Sequence, residues 1–433
     1  MKYFRSVCLV LTFAILAAPA AGYRDSSSVA SDAAAARMAT FETVWKIVNE
    51  RFYDPTFNGV DWQAVRVRYA PRVAAVENDA DLYPVLNSML GELKVSHLAV
   101  MPPQAVLDTK LDTTGSAWGG DAGMTVRLIE GRPVVTTVAE GRAASEAGIR
   151  PGFVLTRIGT TDLGELVARI SSSDRPATMK RLAIRRAVTA MLGGMPGTPV
   201  DVAYLDADDA PRTTTVVRSD TPGKPVRFGE MPSVLVSFES RTLPGNIGYI
   251  RFNFFMPVLM DQIRREIECL RDTTGIVIDL RDNPGGIGQM APGVASLLVD
   301  RNLSLGTMKL RRGEIRFVTY KQSWSYGGKI VFLTDEGSAS TSEILAGALQ
   351  EMGRATVVGE RTLGAVLPSV IEKLPNGAVF QYAVADFKTP NGVLLEGRGV
   401  VPDVVASETR AAYLAGTDPA LDAAVASIVS KVQ

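Results

Sequence analysis

The sequence predicts an α/β protein in three parts: a small helical region, a β-rich module, and a core in which strands alternate with helices. Three patterns predict it. Phe41, Val44, Trp45 and Val48 recur at helical spacing near the start. Short apolar strands bounded by Gly and Pro turns fill residues 119–220. From Asn246 onward, apolar runs of strand length alternate with amphipathic stretches, the pattern of stacked ββα units.

The chain has 433 residues, of which 46% are apolar and 21% charged, an ordinary globular balance with room for several domains. Its 46 basic and 46 acidic side chains cancel. That removes a global electrostatic case for nucleic acid or anionic membrane as partner.

Residues 1–21 read as a secretory signal peptide. Lys2 and Arg5 precede an apolar run from Val7 to Ala17, and Ala18-Pro19-Ala20 offers small residues for cleavage. The run is short for a membrane span, so the mature chain is expected in the periplasm or outside the cell, without an integral span. Cys8 lies in this segment and outside a lipobox-like context, leaving Cys269 alone after cleavage. No intrachain disulfide is then available, and Cys269, within an apolar helical pattern, is expected to pack rather than react.

Residues 22–36, small and Ala/Ser-rich from Tyr23, read as a flexible spacer. Residues 37–104 form a helical domain, with a second helix from Asp79 to Lys94 and Asp54-Pro55 and Asn58-Gly59 turning between helices. Thr113 to Gly120 is a loop. In 119–220, strands are expected at Gly123 to Ile129, Pro133 to Val138, Val154 to Ile158, Val200 to Leu205 and Thr213 to Val217. Ser171 to Gly193 reads as one long helix-like stretch.

In the core, 240–406, strands are expected at Ile247 to Phe252, Gly275 to Leu280, Ile330 to Leu333 and Thr356 to Gly359. Helices follow at Val258 to Leu270, Gly288 to Leu298 and Ser342 to Met352. Residues 407–433 complete the chain as a helical segment. There is no internal repeat and no metal-ligand cluster, so no metal or cofactor is expected.

Two segments carry chemistry. Gly337-Ser338-Ala339-Ser340-Thr341-Ser342-Glu343 places three hydroxyls at alternate positions where a strand turns into a helix, and free N–H groups there stabilise an alkoxide or oxyanion. Asp279-Leu280-Arg281-Asp282-Asn283-Pro284-Gly285-Gly286 leaves a buried strand with two glycines that let backbone approach a ligand. Alone it reads as a tight turn, in which Asp279 and Arg281 pair. Beside the serine turn it offers an oxyanion hole: one N–H from Gly285 or Gly286, another from Thr341. Ser338 and Ser342 read as structural, Ser338 within the turn and Ser342 with Glu343 as a helix cap.

These two segments, with Gly359-Glu360-Arg361-Thr362-Leu363-Gly364 and Glu396-Gly397-Arg398-Gly399-Val400-Val401-Pro402-Asp403, resemble the C-terminal processing (tail-specific) serine peptidase family. The resemblance implies a ClpP/crotonase-like core, a nucleophile at Ser340, and polypeptide substrates taken through their C-termini. Its oligomeric state stays open. The order of elements in 119–220, above all Ala143-Ala144-Ser145-Glu146-Ala147-Gly148-Ile149-Arg150-Pro151-Gly152, resembles a PDZ domain, although Phe153 stands where an acidic residue is usual. Ala122, Gly123, Met124 and Thr125 would then receive a peptide C-terminus, the peptide adding as a strand.

The family's best-known branch uses a lysine base directly after its Thr-x-Gly element. Here that element is Thr362-Leu363-Gly364 and the next residue is Ala365, which cannot accept a proton. The chain's one histidine, His97, follows Ser96. With Phe41 to Trp45 and Phe52-Tyr53-Asp54-Pro55, this segment resembles the tricorn-type branch. That resemblance implies a Ser-His-Ser-Glu tetrad: Ser340 as nucleophile, His97 as base, Ser96 orienting the imidazole, and Glu396 behind Ser96. The competing readings are a non-catalytic peptide- or lipophile-binding relative of the same fold, and acyl-thioester chemistry of the crotonase type. For the latter the chain offers no adenine-pocket signature.

Overall fold

The computed structural model describes residues 26–102, 119–229, 231 and 233–430. The segment expected to be a signal peptide and most of the loop expected at 113–120 lie outside the described residues.

The first helix, Ser26–Arg51, runs through the stretch expected to be a flexible spacer. Its alanines explain the difference: they fix no side chain on helix formation, so an Ala/Ser-rich segment propagates a helix that is anchored further along. Helices Trp62–Ala74 and Asp79–Gly91 follow, started by the Asp61 and Asn78 side chains, which accept from Ala64 N and Asp81 N. Between the first two helices, the Asp54 carboxylate accepts from Thr56 N at 2.9 Å and Asn58 N at 2.7 Å, fixing the turn.

The helical region does not hold a core of its own. Phe41, Val44, Phe52, Trp62, Leu82, Leu86 and Met89 pack in one cluster with Leu367, Leu374, Phe380 and Tyr382. The latter lie on or beside the hairpin Ser369–Lys373/Val379–Ala383 of the C-terminal half, against which the short strand Ala99–Met101 pairs antiparallel. The boundary expected at residue 104 therefore separates segments that share one hydrophobic core.

The β-rich module is an antiparallel sheet in the order Met124–Ile129, Arg132–Val138, Val154–Ile158, Pro199–Leu205, Pro211–Val217. The single helix-like stretch expected at 171–193 resolves into the end of helix Leu163–Ser171 and a separate helix Ala177–Leu192. Ile184, Val188 and Leu192, four residues apart, enter the module's core, while Leu182 and Met179 face elsewhere.

In the core, the strands Ile247–Phe252, Gly275–Asp279, Lys329–Thr334, Thr356–Gly359 and Val404–Val405 run parallel, with Phe238–Leu243 antiparallel at one edge. Every residue of Gly275–Asp279 is buried, as expected of a strand covered on both faces. One face packs on helices Met260–Cys269, Met290–Ala295 and Thr341–Glu351, and the other on Pro419–Val429. Cys269 is exposed, contrary to the packing role expected of it. The buried stripe of its helix is Ile263 and Ile267, and Cys269 falls off that stripe.

Candidate active site

Ser340 sits where the strand Lys329–Thr334 gives way to the helix Thr341–Glu351, with φ 54° and ψ −116°. A serine held in that region is strained by about 1–3 kcal/mol. Its surroundings over-determine the turn. Ser338 Oγ donates to Leu280 O at 2.7 Å, Ser342 Oγ to Asn283 O at 2.9 Å, and Thr341 Oγ1 to Gly286 O at 3.0 Å. These three hydroxyls stitch the turn to the 279–286 loop, which leaves the adjacent parallel strand. Ser342 thus bonds to that loop rather than capping its own helix.

The two loops approach so closely that side chains have no room. A Cβ on Gly285 would lie 2.7 Å from Ser340 Cβ and 2.8 Å from Thr341 N, and one on Gly286 would run into Phe255 O. The Gly285 N–H is taken by Asn283 Oδ1 at 3.0 Å. The Gly286 N–H makes no hydrogen bond among the described residues. Thr341, the first residue of its helix, has an N–H with no partner due to it in the helical ladder. Gly286 and Thr341 therefore present the two backbone N–H groups beside Ser340 that have no acceptor among the described residues.

Glu343 is wholly buried, and its carboxylate collects four donors. Oε1 accepts from Thr362 Oγ1 at 2.5 Å and Gly364 N at 2.7 Å, while Oε2 accepts from Ala365 N at 3.0 Å and Ser340 N at 2.9 Å. Burial pushes this carboxyl up to about 7, and the donors pull it back toward the ionised form. Sequence reading placed Glu343 in a helix cap and missed this wider role, because the partners lie in a loop 19–22 residues away. The loop is held from its other side by Gly397 N donating to Gly364 O at 2.8 Å and Val400 N to Thr362 Oγ1 at 2.7 Å.

Across the site, Ser96 Oγ lies 2.7 Å from His97 Nδ1 and 3.0 Å from Glu396 Oε2. Glu396 also accepts from Ser96 N at 2.7 Å and Val366 N at 2.9 Å, so one carboxylate ties the end of the helical region to the loop beside Ser340. Burial raises the Glu396 pKa, and the hydrogen bonds from Ser96 and Val366 oppose the rise. His97 has φ 57°, an uncommon left-handed backbone for a non-glycine residue. Protein packed around its ring pushes the imidazole down to about 4, so it is neutral at pH 7 and able to accept a proton. No hydrogen bond joins His97 to Ser340 in this form.

Asp279 and Arg281 do pair, at 2.6 Å, with Tyr249 OH donating to Asp279 at 2.8 Å. Burial raises the Asp279 pKa, but the guanidinium overrides it and holds the carboxyl at about 2. Ala122, Gly123, Met124 and Thr125 lie in the β-rich module, away from Ser340. Ala122 is buried, while Gly123, Met124 and Thr125 line a cleft of about 970 Å³ with Gly119, Arg142, Thr189 and Gly194. No group of side chains among the described residues is arranged to hold a metal ion.

Comparison with known proteins agrees with this architecture. Residues 246–406 match the model of peptidase family S41, and residues 33–91 the tricorn protease C1 domain. The carboxyl-terminal-processing protease of Synechocystis sp. is 28% identical over 87% of this chain and 82% of that protein. Tricorn protease homolog 1 of Streptomyces coelicolor is 26% identical over 91% of this chain but only 35% of its own length. Among solved structures, the photosystem II D1 C-terminal processing protease superposes with a TM-score of 0.57 at 26% identity, covering 86% of this chain and 93% of that one. Mature CPAF shares the fold, with a TM-score of 0.63 at 15% identity over 88% of this chain and 94% of its own. The S41 match over residues 246–406 and the similarity to carboxyl-terminal-processing proteases indicate a serine peptidase.

Proposed function

We propose that the protein is an exported endopeptidase of the C-terminal-processing type, working through Ser340, His97, Ser96 and Glu396. The observation that carries the reading is Ser96 Oγ bridging His97 Nδ1 and Glu396, in a chain whose lysine position is Ala365. Glu396 accepts the Ser96 hydroxyl proton, and Ser96 Oγ accepts from His97 Nδ1–H. That fixes the tautomer with Nε2 unprotonated, the requirement for a base.

When polypeptide binds, the His97 ring and Ser340 close to hydrogen-bond distance; such contacts commonly tighten only in the complex. His97 Nε2 takes the Ser340 proton as Oγ bonds to the substrate carbonyl carbon. The oxyanion is received by the N–H groups of Thr341 and Gly286. Collapse breaks the C–N bond, His97 protonates the leaving amine, and an ester remains on Ser340. Water, deprotonated by His97, then hydrolyses that ester.

The Lys2 to Ala20 segment, with its basic start and short apolar run, supports export. No helix among the described residues is long and apolar enough to cross a membrane. The cleft lined by Gly123, Met124 and Thr125 favours a PDZ-like role for the β-rich module in holding substrate C-termini.

The test is labelling by a fluorophosphonate probe together with peptide hydrolysis. Ser340→Ala abolishes both. Persistent labelling in that variant would sink the assignment, and peptide binding without turnover in the wild type would favour a non-catalytic role.

A further inference from the structure

The cleft of the β-rich module is lined by small, apolar or uncharged residues, with two exceptions, Asp121 and Arg142. These two pair with each other, Arg142 Nη2 lying 2.9 Å from Asp121 Oδ1. The same oxygen accepts from Gly123 N at 2.6 Å. A single carboxylate oxygen of the chain itself therefore holds both a backbone N–H and a cation in the wall of the cleft.

Resting on the reading of this module as a holder of substrate C-termini, we propose that Asp121 is a built-in occupant of the seat for a peptide's terminal carboxylate. An incoming C-terminus displaces the Asp121 side chain and takes over the Gly123 N–H and Arg142.

Three observations carry this. The first is that the cation stays in place when its anion leaves. Arg142 Nη2 also donates to Ser219 Oγ and to Asp220 O, both at 2.8 Å, and its Cβ lies against Gly123, where an added Cβ would come within 2.8 Å of it. The Arg142 side chain is 16% exposed and that of Asp121 31%. Asp121 has no side-chain partners among the described residues except Gly123 N and Arg142. Its departure leaves a fixed guanidinium beside a free N–H. The adjoining Ala122 N–H has no acceptor among the described residues either. A guanidinium with neighbouring backbone N–H groups is a carboxylate receptor.

The second is the shape of the groove. Met124–Ile129 is the end strand of its sheet, so its outer edge can accept one more strand, and Thr189 of the helix Ala177–Leu192 lines the same cleft. Before Met124 the groove is shut. Gly120 and Gly194 exchange backbone hydrogen bonds there, with Gly194 N donating to Gly120 O at 2.9 Å. A bound strand that reaches Gly123 has to stop. The carboxylate it brings is then a chain terminus and not a side chain in mid-sequence.

The third is charge. Arg142 is the one basic residue lining the cleft. Two carboxylates set against one guanidinium and one N–H repel each other, so the internal anion and the ligand compete for the seat. Asp121 thereby weakens every C-terminus by the same factor, and a peptide without a terminal charge gains nothing when Asp121 is removed.

The experiment uses the full mature chain carrying Ser340→Ala, so that peptide binds without turnover. The probes are fluorescein-labelled decapeptides ending in Ala, Val or Leu, each made with a free carboxylate and with a carboxamide, and binding is read by fluorescence anisotropy. Asp121→Gly tightens binding of the free acids about 10-fold and leaves the amides unchanged. Asp121→Asn keeps an acceptor for Gly123 N but removes the charge, and gives a smaller gain of the same kind. Adding Arg142→Gln to Asp121→Gly returns the free acids toward the affinity of the amides.

Free-acid affinity that stays the same or falls in both Asp121 variants overturns the built-in occupant and leaves the C-terminus reading standing. Equal binding of acids and amides in every variant, or no binding of either in any, overturns that reading and this inference together.

Discussion

The two halves of the site are built differently. The nucleophile half lies at the ends of neighbouring parallel strands of one sheet, its loops joined by Ser338, Thr341 and Ser342 hydroxyls and by a wholly buried Glu343. The half proposed to supply the base is assembled from segments 300 residues apart, with Glu396 closing on Ser96, and its side chains are only partly covered. The first half stores strain, at Ser340, and needs a rigid frame to keep it. The second needs a neutral imidazole and room to move toward the substrate. One half is thus coupled to the stability of the fold, and the other to its chemistry.

Variants can break this contrast. On the proposed mechanism His97→Ala removes the base and is expected to cost about 10²- to 10⁴-fold in kcat, with the melting temperature nearly unchanged. A large drop in melting temperature would show that His97 is structural. Glu343→Gln acts in the opposite sense. Its amide can satisfy fewer of the four donors, so at least one buried N–H or hydroxyl loses its acceptor. A loss of about 1–3 kcal/mol in denaturant unfolding is expected, together with reduced turnover. Unaltered stability in this variant would remove the claim that the nucleophile half is framed by Glu343.

The pH dependence sharpens the comparison further. His97 has a folded pKa of about 4, below its ordinary value. The base is then unprotonated across the neutral range, and the acid limb of kcat/KM should fall well below pH 6. The stability contribution has the same direction. Between about 4 and the ordinary histidine value the unfolded chain binds the proton and the folded chain does not. This contribution is fully present above that window and is lost as pH falls through it. An acid limb at the ordinary histidine value, read from a pH–rate profile, would count against an imidazole desolvated by the protein packed around it. The smallest effect is expected at Cys269→Ser, within about 0.5 kcal/mol, because the thiol is exposed.

Much of the nucleophile half was legible in the sequence because its signals are local. The strand before Ser340, the Gly285-Gly286 pair and the helix after Thr341 each lie within a few residues of one another. The strands Ile247–Phe252 and Thr356–Gly359 begin and end where their apolar runs do. What escaped was non-local. The hairpin Ser304–Leu310/Glu314–Val318 carries exposed charges that mask its period, and the pairing of Ala99–Met101 with Val379–Ala383 leaves no mark in either segment alone. The distinction between Gly285 and Gly286 rests on the Asn283 side chain, whose direction no spacing reveals.

The shared core of the helical region has a consequence for synthesis. The cluster that holds Phe41 and Trp62 is complete only when Phe380 and Tyr382 exist, and Ser96 finds Glu396 later still. On the proposed mechanism, a growing chain therefore carries a complete serine turn before it can carry an oriented base. On that mechanism activity appears only when the last tenth of the chain, with Glu396, has emerged, a delay that topology imposes. A chain ending at 390 should accordingly take up fluorophosphonate far more slowly than the full chain, and equal rates would overturn that order of events.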